Sequence, residues 1–245
     1  MKISFIIPAY NEEKYITDCI SSIIAQKDLP EHEIIMVNNH SNDRTGEIVS
    51  QNFGNRIQII REEQLGMCRA RNRGAAEATG DVLVFFDADV RAPINWIKIL
   101  LKILAVQPNV VGVYGPYRFL DLSLHYRFFA ETLNFQFIHP VYNFIFNKIF
   151  HKSSLGVGGN FAVRADIFRK VGGWNEDIFF CGEELDLCKR LILQGRIIFN
   201  PDLWVWESGR RLRQNGFRQI WHYFIGYAPF LITGKQHKDY YTAVR

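Results

Sequence analysis

A chain of 245 residues with 48% hydrophobic and 22% charged content can bury a substantial core. Its formal charge of +4 is modest and comes with no recognised nucleic-acid-binding motif, which argues against nucleic acid as a partner. Cys19, Cys68, Cys181 and Cys188 lack CxxC spacing and paired histidines, so neither zinc nor a disulfide framework is indicated, and they read as buried thiols.

Met1-Lys2 leads directly into the apolar run Ile3 to Ile7, which Pro8 ends. That run is too short for a signal-peptide core, so a cytoplasmic location is expected and the sequon Asn39-His40-Ser41 is a chance match. Glu12 to Ala25 has helical periodicity. Glu33 to Val37 predicts a second strand, followed by a polar turn from Asn38 to Asn42, and Asp43 is a good N-cap for a helix over 44–53. A third short strand spans 57–60, and the alanine- and arginine-rich stretch 66–79 predicts a helix ahead of the fourth strand, Val82 to Phe86. Alternating strands and helices predict an α/β fold with a mostly parallel, Rossmann-like sheet covered on both faces. Ligands of such sheets bind outside the carboxyl ends of the strands, where the loops at 8–12, 38–42 and 87–89 would lie.

Farther on, the pattern predicts a helix over 94–106, a strand over 110–114, a glycine-broken strand over 156–163, and helices over 165–171 and 183–194. Short strands are expected at 197–199 and 204–206. No linker separates independent domains. Neither GxGxxG nor GxxxxGK[ST] occurs in the first half, which disfavours dinucleotide-dependent dehydrogenases and P-loop enzymes.

Asp87 and Asp89 stand at i and i+2 beyond the apolar run from Val82, and alternation along a strand would turn both to one side. A hard divalent ion held there would keep positions open for phosphate oxygens. The same two acids also suit the end of a strand entering a turn. Asp186 and Arg190, at i and i+4, read as a structural pair on one helix.

Five segments in order, Ile7-Pro8-Ala9-Tyr10-Asn11-Glu12, Asn38 to Asp43, Ala70-Arg71-Asn72-Arg73-Gly74, Asp87-Ala88-Asp89 and Gly182-Glu183-Glu184-Leu185-Asp186, resemble the family 2 glycosyltransferases of GT-A fold. Ser208-Gly209-Arg210-Arg211 also looks like a segment of small bacterial members. The resemblance implies one GT-A domain, with 1–110 binding a nucleotide-diphosphate sugar and 111–245 forming an acceptor-side half with a helical C-terminal region. It places Pro8, Ala9, Tyr10, Glu12, Asn38, Arg71, Asp87, Ala88 and Asp89 at the donor, and Trp174 and Glu183 at the acceptor. Asp89 is implied as the direct ligand of Mg2+ or Mn2+, with Asp87 facing the ribose or reaching the ion through water, and Glu207 or His222 as a further ligand. Glu184 is implied as the base that deprotonates the acceptor hydroxyl, although many relatives have aspartate there. Asn38 replaces an aspartate common in relatives, which leaves the nucleotide base open. Trp174 suits either an aromatic wall under the acceptor or the core.

The implied activity is a metal-dependent, inverting transfer of a sugar to a lipid-linked or cell-surface glycan precursor. A nucleotidyltransferase of related fold and a catalytically silent nucleotide-sugar-binding subunit are the alternatives. Two aromatic-rich stretches, 119–150 and 216–233, are too interrupted for a confident membrane span. The second follows Arg210, Arg211 and Arg213 and includes Arg218, so peripheral contact with an anionic membrane is expected beside ordinary core packing.

Overall fold

The structure, a computed structural model, describes residues 1–119, 121–128, 131, 157–178 and 182–215. Strand β1 (Ile3–Ala9) is buried along its whole length, as a β-branched run covered on both faces should be. It extends two residues past the predicted Ile7. Pro8 is accommodated because it lies beyond the last β1–β4 register pair, Ile6 with Phe85, and its one flanking strand there is β2 (His32–Asn38). Helix α1 (Ile16–Ile24) buries Ile16, Cys19, Ile20 and Ile23, spaced i, i+3, i+4 and i+7. It starts later than predicted because the Tyr15 and Ile16 amides both donate to the Glu12 carbonyl in a separate turn, and Asn11 before it has φ 57°.

Helix α2 (Thr45–Phe53) is capped two residues upstream, where Asp43 Oδ1 accepts the Thr45 amide at 2.9 Å. Strand β3 (Gln58–Arg61) pairs with β2, and helix α3 (Met67–Glu77) packs on β1 and β2. Gly74 permits that approach, since a methyl group there would stand 2.5 Å from Ile6 Cγ2 and 3.0 Å from Val37 Cγ2. Strand β4 (Val82–Phe86) completes the parallel order β3-β2-β1-β4.

Past β4 the sheet continues with β8 (Asn160–Arg164), β6 (Val110–Tyr114) and β9 (Arg196–Phe199). Strand β8 is antiparallel to both β4 and β6, whereas β6 and β9 are parallel. One core face holds α1 and helix α4 (Trp96–Val106), while the other holds α3, helix α6 (Ala165–Lys170) and helix α7 (Glu183–Leu191). Between β6 and β8 lie strand β7 (Tyr117–Arg118) and the short helix α5 (Leu124–Arg127). A small second sheet, unforeseen in the sequence, has the order β5-β10-β7, with β5 at Val90–Arg91 and β10 at Val205–Glu207. Helix α8 (Arg210–Asn215) follows β10.

Cys19, Cys68 and Cys188 are buried free thiols, as expected, and Cys181 lies outside the described residues. Asp186 and Arg190 form the predicted pair, with Arg190 Nε donating to Asp186 Oδ2 at 3.0 Å. Among the described residues, no helix is long and apolar enough to cross a membrane. The membrane-surface expectation falls on 119–150 and 216–233, most of the first and all of the second outside the described residues.

Candidate functional site

The carboxyl ends of β1, β2 and β4 lie along one sheet edge, and side chains stitch their loops together there. The Asn39 amide donates to the Ala9 carbonyl at 2.8 Å, the Asn11 amide to Ser41 Oγ at 3.0 Å, and the Glu12 amide to Thr45 Oγ1 at 2.8 Å. Buried Asn39 ties the β2 end to the approach to α3, since its Nδ2 donates to the Glu62 and Gln64 carbonyls and its Oδ1 accepts the Gly66 amide. Asn38 Oδ1 accepts the Ser41 amide at 3.1 Å, so one end of the amide that replaces the usual aspartate shapes its own turn. Pro8 and Ala9 end β1 as buried backbone, and Tyr10 is the exposed residue after them.

Asp87 and Asp89 do not share a face through strand alternation, because β4 ends at Phe86 and Asp87-Ala88-Asp89 turns into β5. The turn sends the two carboxylates to different arginines. Asp87 Oδ1 accepts Arg71 Nη2 at 3.0 Å, and Asp89 Oδ2 lies 3.2 Å from Arg210 Nη2. Ala88 between them is buried in the core. Arg71 reaches Asp87 from inside α3; its side chain is 3% exposed, while those of Arg69 and Arg73 are 34% and 46% exposed and pair with Glu176 and Glu77. Burial opposes the charge of Arg71, yet Asp87, Glu184 and Glu183 outweigh it and hold the guanidinium more firmly protonated than usual.

Two glycines let these groups converge. A methyl at Gly158 would stand 2.7 Å from Arg71 Nη1 and 2.8 Å from Glu184 Oε1, and one at Gly159 would stand 2.1 Å from Asp87 Oδ2 and 2.6 Å from the Tyr117 hydroxyl. That hydroxyl accepts the Gly159 amide at 3.1 Å, and the Asp87 amide donates to the Gly159 carbonyl at 3.3 Å. Fully buried Asn160 anchors the turn from below: its Oδ1 accepts Trp96 Nε1 at 3.1 Å and its Nδ2 donates to the Leu203 carbonyl at 2.8 Å. The glycine turn is thus lined by side chains of the site itself.

Glu183 and Glu184 open α7 after Gly182, whose φ of 113° favours a residue without Cβ. Burial first, and the neighbouring Glu184 second, push the Glu183 carboxyl up to about 8. Trp174 is 2% exposed, packs edge-on against Phe85 and Phe161, and carries Arg71 4.6 Å above its ring. Its indole underlies Arg71 as part of the core. Among the described residues, the buried side-chain polar atoms without a hydrogen-bond partner are Arg71 Nε and Nη1, Trp174 Nε1 and Glu183 Oε2, all from this group of residues.

Glu12, Asp89 and Glu207 form an acidic neighbourhood on the other side of the turn. Register pairing sets Glu207 of β10 opposite Val90, next to Asp89. Burial lifts Asp89 to about 6, with Arg210 opposing and Glu12 and Asp87 adding to the rise. Burial likewise raises Glu207 well above the carboxylate range, reinforced by Asp89 and Asp87, and it raises Glu12 against the pull of Arg210. His222 lies outside the described residues. The sequence reading missed the place of Arg210 and Tyr117 in this group; Ser208-Gly209-Arg210-Arg211 was the available signal for the first, and no motif marked the second.

Among the described residues, no three His, Cys, Asp or Glu side chains are disposed to hold a metal by themselves. The hard carboxylate oxygens of Asp89 and Asp87 are of the chemistry that an ion of the magnesium type takes, since it accepts one or two carboxylates and completes its sphere with phosphate and water.

The sequence model of Glycosyl transferase family 2 matches residues 4–172. A probable glycosyltransferase, YdaM of Bacillus subtilis, is 32% identical over 221 residues, covering 84% of this chain and 50% of that protein. The chain thus spans half the length of that relative. A glucosyl-dolichyl phosphate glucuronosyltransferase of Haloferax volcanii is 26% identical over 213 residues, covering 82% of this chain and 67% of that one. Among solved structures, the mannosyltransferase PcManGT from Pyrobaculum calidifontis in complex with GDP-Man and Mn2+ is similar with a TM-score of 0.68 at 19% identity, covering 99% of this chain and 67% of that one. With the sheet order and helical layers described above, these matches place the chain in glycosyl transferase family 2, with the GT-A fold.

Proposed function

We propose that the chain moves one sugar, with inversion, from a nucleotide-diphosphate donor to a lipid-linked or cell-surface glycan acceptor, assisted by Mg2+ or Mn2+. The observation that carries this reading is the meeting of the acidic turn at Asp87 and Asp89 with Glu184 around the Gly158-Gly159 turn, through Arg71. Support for a sugar-nucleotide donor and a divalent ion comes from the GDP-Man and Mn2+ of the mannosyltransferase, and support for a lipid-linked acceptor from the dolichyl-phosphate relative.

Asp89, with Asp87 and Glu207 beside it, would hold the ion. When bound, the ion neutralises charge building on the departing diphosphate. Pro8, Ala9, Tyr10, Glu12 and Asn38 would line the nucleoside, and Arg71 would fix Asp87 in place. Glu184 would take the proton of the acceptor hydroxyl as its oxygen bonds to the anomeric carbon and the bond from that carbon to the diphosphate breaks. A neutral Glu183 avoids placing a second negative charge against Glu184. Peripheral contact with an anionic membrane through the basic C-terminal segment belongs to the same reading, and salt-sensitive flotation with anionic liposomes tests it.

Calorimetry against a panel of nucleotide diphosphates, with and without Mn2+, is the direct test. Metal-dependent binding of one nucleotide supports the transferase reading, whereas silence across the panel favours a structural subunit. With a binding donor in hand, Glu184→Gln should bind it normally and lose about 10²-fold or more of transfer. Full activity in that variant would remove Glu184 as the base.

A further inference from the structure

Arg210 makes ionic contacts with two acids of the turn region, Glu12 and Asp89. Its Nη1 donates to Glu12 Oε2 at 2.8 Å, its Nη2 to Glu12 Oε1, and that same Nη2 lies 3.2 Å from Asp89 Oδ2. The fork of the guanidinium therefore spans both carboxylates, a geometry that a lysine cannot reproduce. The three side chains are only 21%, 12% and 8% exposed. Tyr15 completes the seat, with its ring centre 4.7 Å from the guanidinium carbon.

The backbone that carries Arg210 is fastened separately. Asp121 Oδ1 accepts the Gly209 amide at 2.7 Å, Asp121 Oδ2 accepts Ser208 Oγ at 3.3 Å, and Arg213 Nη2 lies 3.1 Å from the same carboxylate. A methyl at Gly209 would stand 2.4 Å from Leu122, so the glycine lets this segment lie close against the residues before α5. The anchor and the guanidinium are thus distinct parts, and the side chain can leave the acids while the segment stays attached.

A divalent ion on the Asp89 carboxylate and a guanidinium 3.2 Å from its Oδ2 would repel one another across a few ångströms. We propose that Arg210 is a positioning residue that serves as an internal counterion, occupying Asp89 and Glu12 in the free enzyme and yielding Asp89 when the divalent ion enters. This inference rests on the proposed metal role of Asp89. Arg210 neutralises buried acids that would otherwise repel one another, and it makes bare-ion binding weak. A donor carrying its own diphosphate charge offers the released guanidinium a new anion, so ion and nucleotide are taken up together.

The test is the affinity of the protein for Mn2+ alone, read by the paramagnetic resonance of free Mn2+, in wild type, Arg210→Gln, Arg210→Lys and Arg213→Gln, with Asp89→Asn as the site control and thermal melting to confirm folding. Arg210→Gln should bind Mn2+ at least tenfold more tightly than wild type, Arg210→Lys should fall between, and Arg213→Gln, which removes an equal charge beside Asp121, should match wild type. Equal or weaker binding by Arg210→Gln, or an equal gain in Arg213→Gln, overturns the counterion role while leaving the metal at Asp89 in place. Binding that Asp89→Asn does not reduce overturns the metal reading and the counterion with it. Should Arg210→Gln melt far below wild type, Arg210→Lys carries the comparison.

Discussion

The guanidinium carbon of Arg71 lies 4.6 Å above the ring of Trp174 while its Nη2 donates to Asp87 at 3.0 Å. The arginine is thus held between an aromatic face and a carboxylate, and both partners lose by its removal. Arg71→Met should lower unfolding free energy by about 2 kcal/mol, because it strands a partly buried carboxylate. Urea denaturation reads that loss. A change within about 0.5 kcal/mol would mean that the pair contributes little.

Glu183 gives the chain a specific pH response. Its carboxyl ordinarily titrates near 4.5 and is pushed up to about 8 in the fold by burial, so between those values the folded state holds a proton that the unfolded chain has released. Stability therefore falls as pH rises through that window, by at most about 1.4 kcal/mol per pH unit from this group. Glu183→Gln should gain stability relative to wild type from pH 5 to pH 8. Parallel melting-temperature profiles for the two proteins would refute the assignment.

Gly159→Ala would bring a methyl to 2.1 Å from Asp87 Oδ2 and 2.6 Å from the Tyr117 hydroxyl. Neither group has a free direction of retreat, since Asp87 is tied to Arg71 and the hydroxyl accepts the Gly159 amide. The turn must shift, at about 1–3 kcal/mol. Donor affinity should drop with it, and calorimetry with the binding nucleotide would detect the change.

Asp89→Asn keeps the shape of the turn and removes the charge facing Arg210 and the ion. Burial already raises the Asp89 carboxyl to about 6, so the neutral side chain should cost little stability. Metal-dependent transfer should fall by a factor of at least about 10², as expected for loss of stabilisation at a leaving group. Retained full activity with added Mn2+ would dismiss Asp89 as a ligand.

The parallel half of the sheet was legible in the sequence because each strand is a short apolar run followed by a turn signal, and β4 falls on the predicted residues 82–86. The later strands were harder. Residues 156–163 read as one glycine-broken strand, but Gly158 and Gly159 form a turn and β8 begins at Asn160. Two-residue strands such as β5 and β7 carry too little pattern to declare themselves, so the small sheet that sets Glu207 beside Asp89 could not be foreseen. Local periodicity likewise placed Arg71 on a helix without telling its buried face from the exposed ones of Arg69 and Arg73. The partnership of Glu12 with Arg210 joins residues 198 positions apart, a separation no spacing rule spans.

Strand β8 supplies one of the two neighbours of β4, over the register Val82–Arg164 to Phe86–Asn160. A fragment ending near residue 110 would consequently leave β4 with a bare backbone rim of five apolar residues, Val-Leu-Val-Phe-Phe, open to pairing with other copies. During synthesis that rim stays unmatched until residues 160–164 emerge. The strand that follows the glycine turn of the site is also the one that covers the open edge of β4.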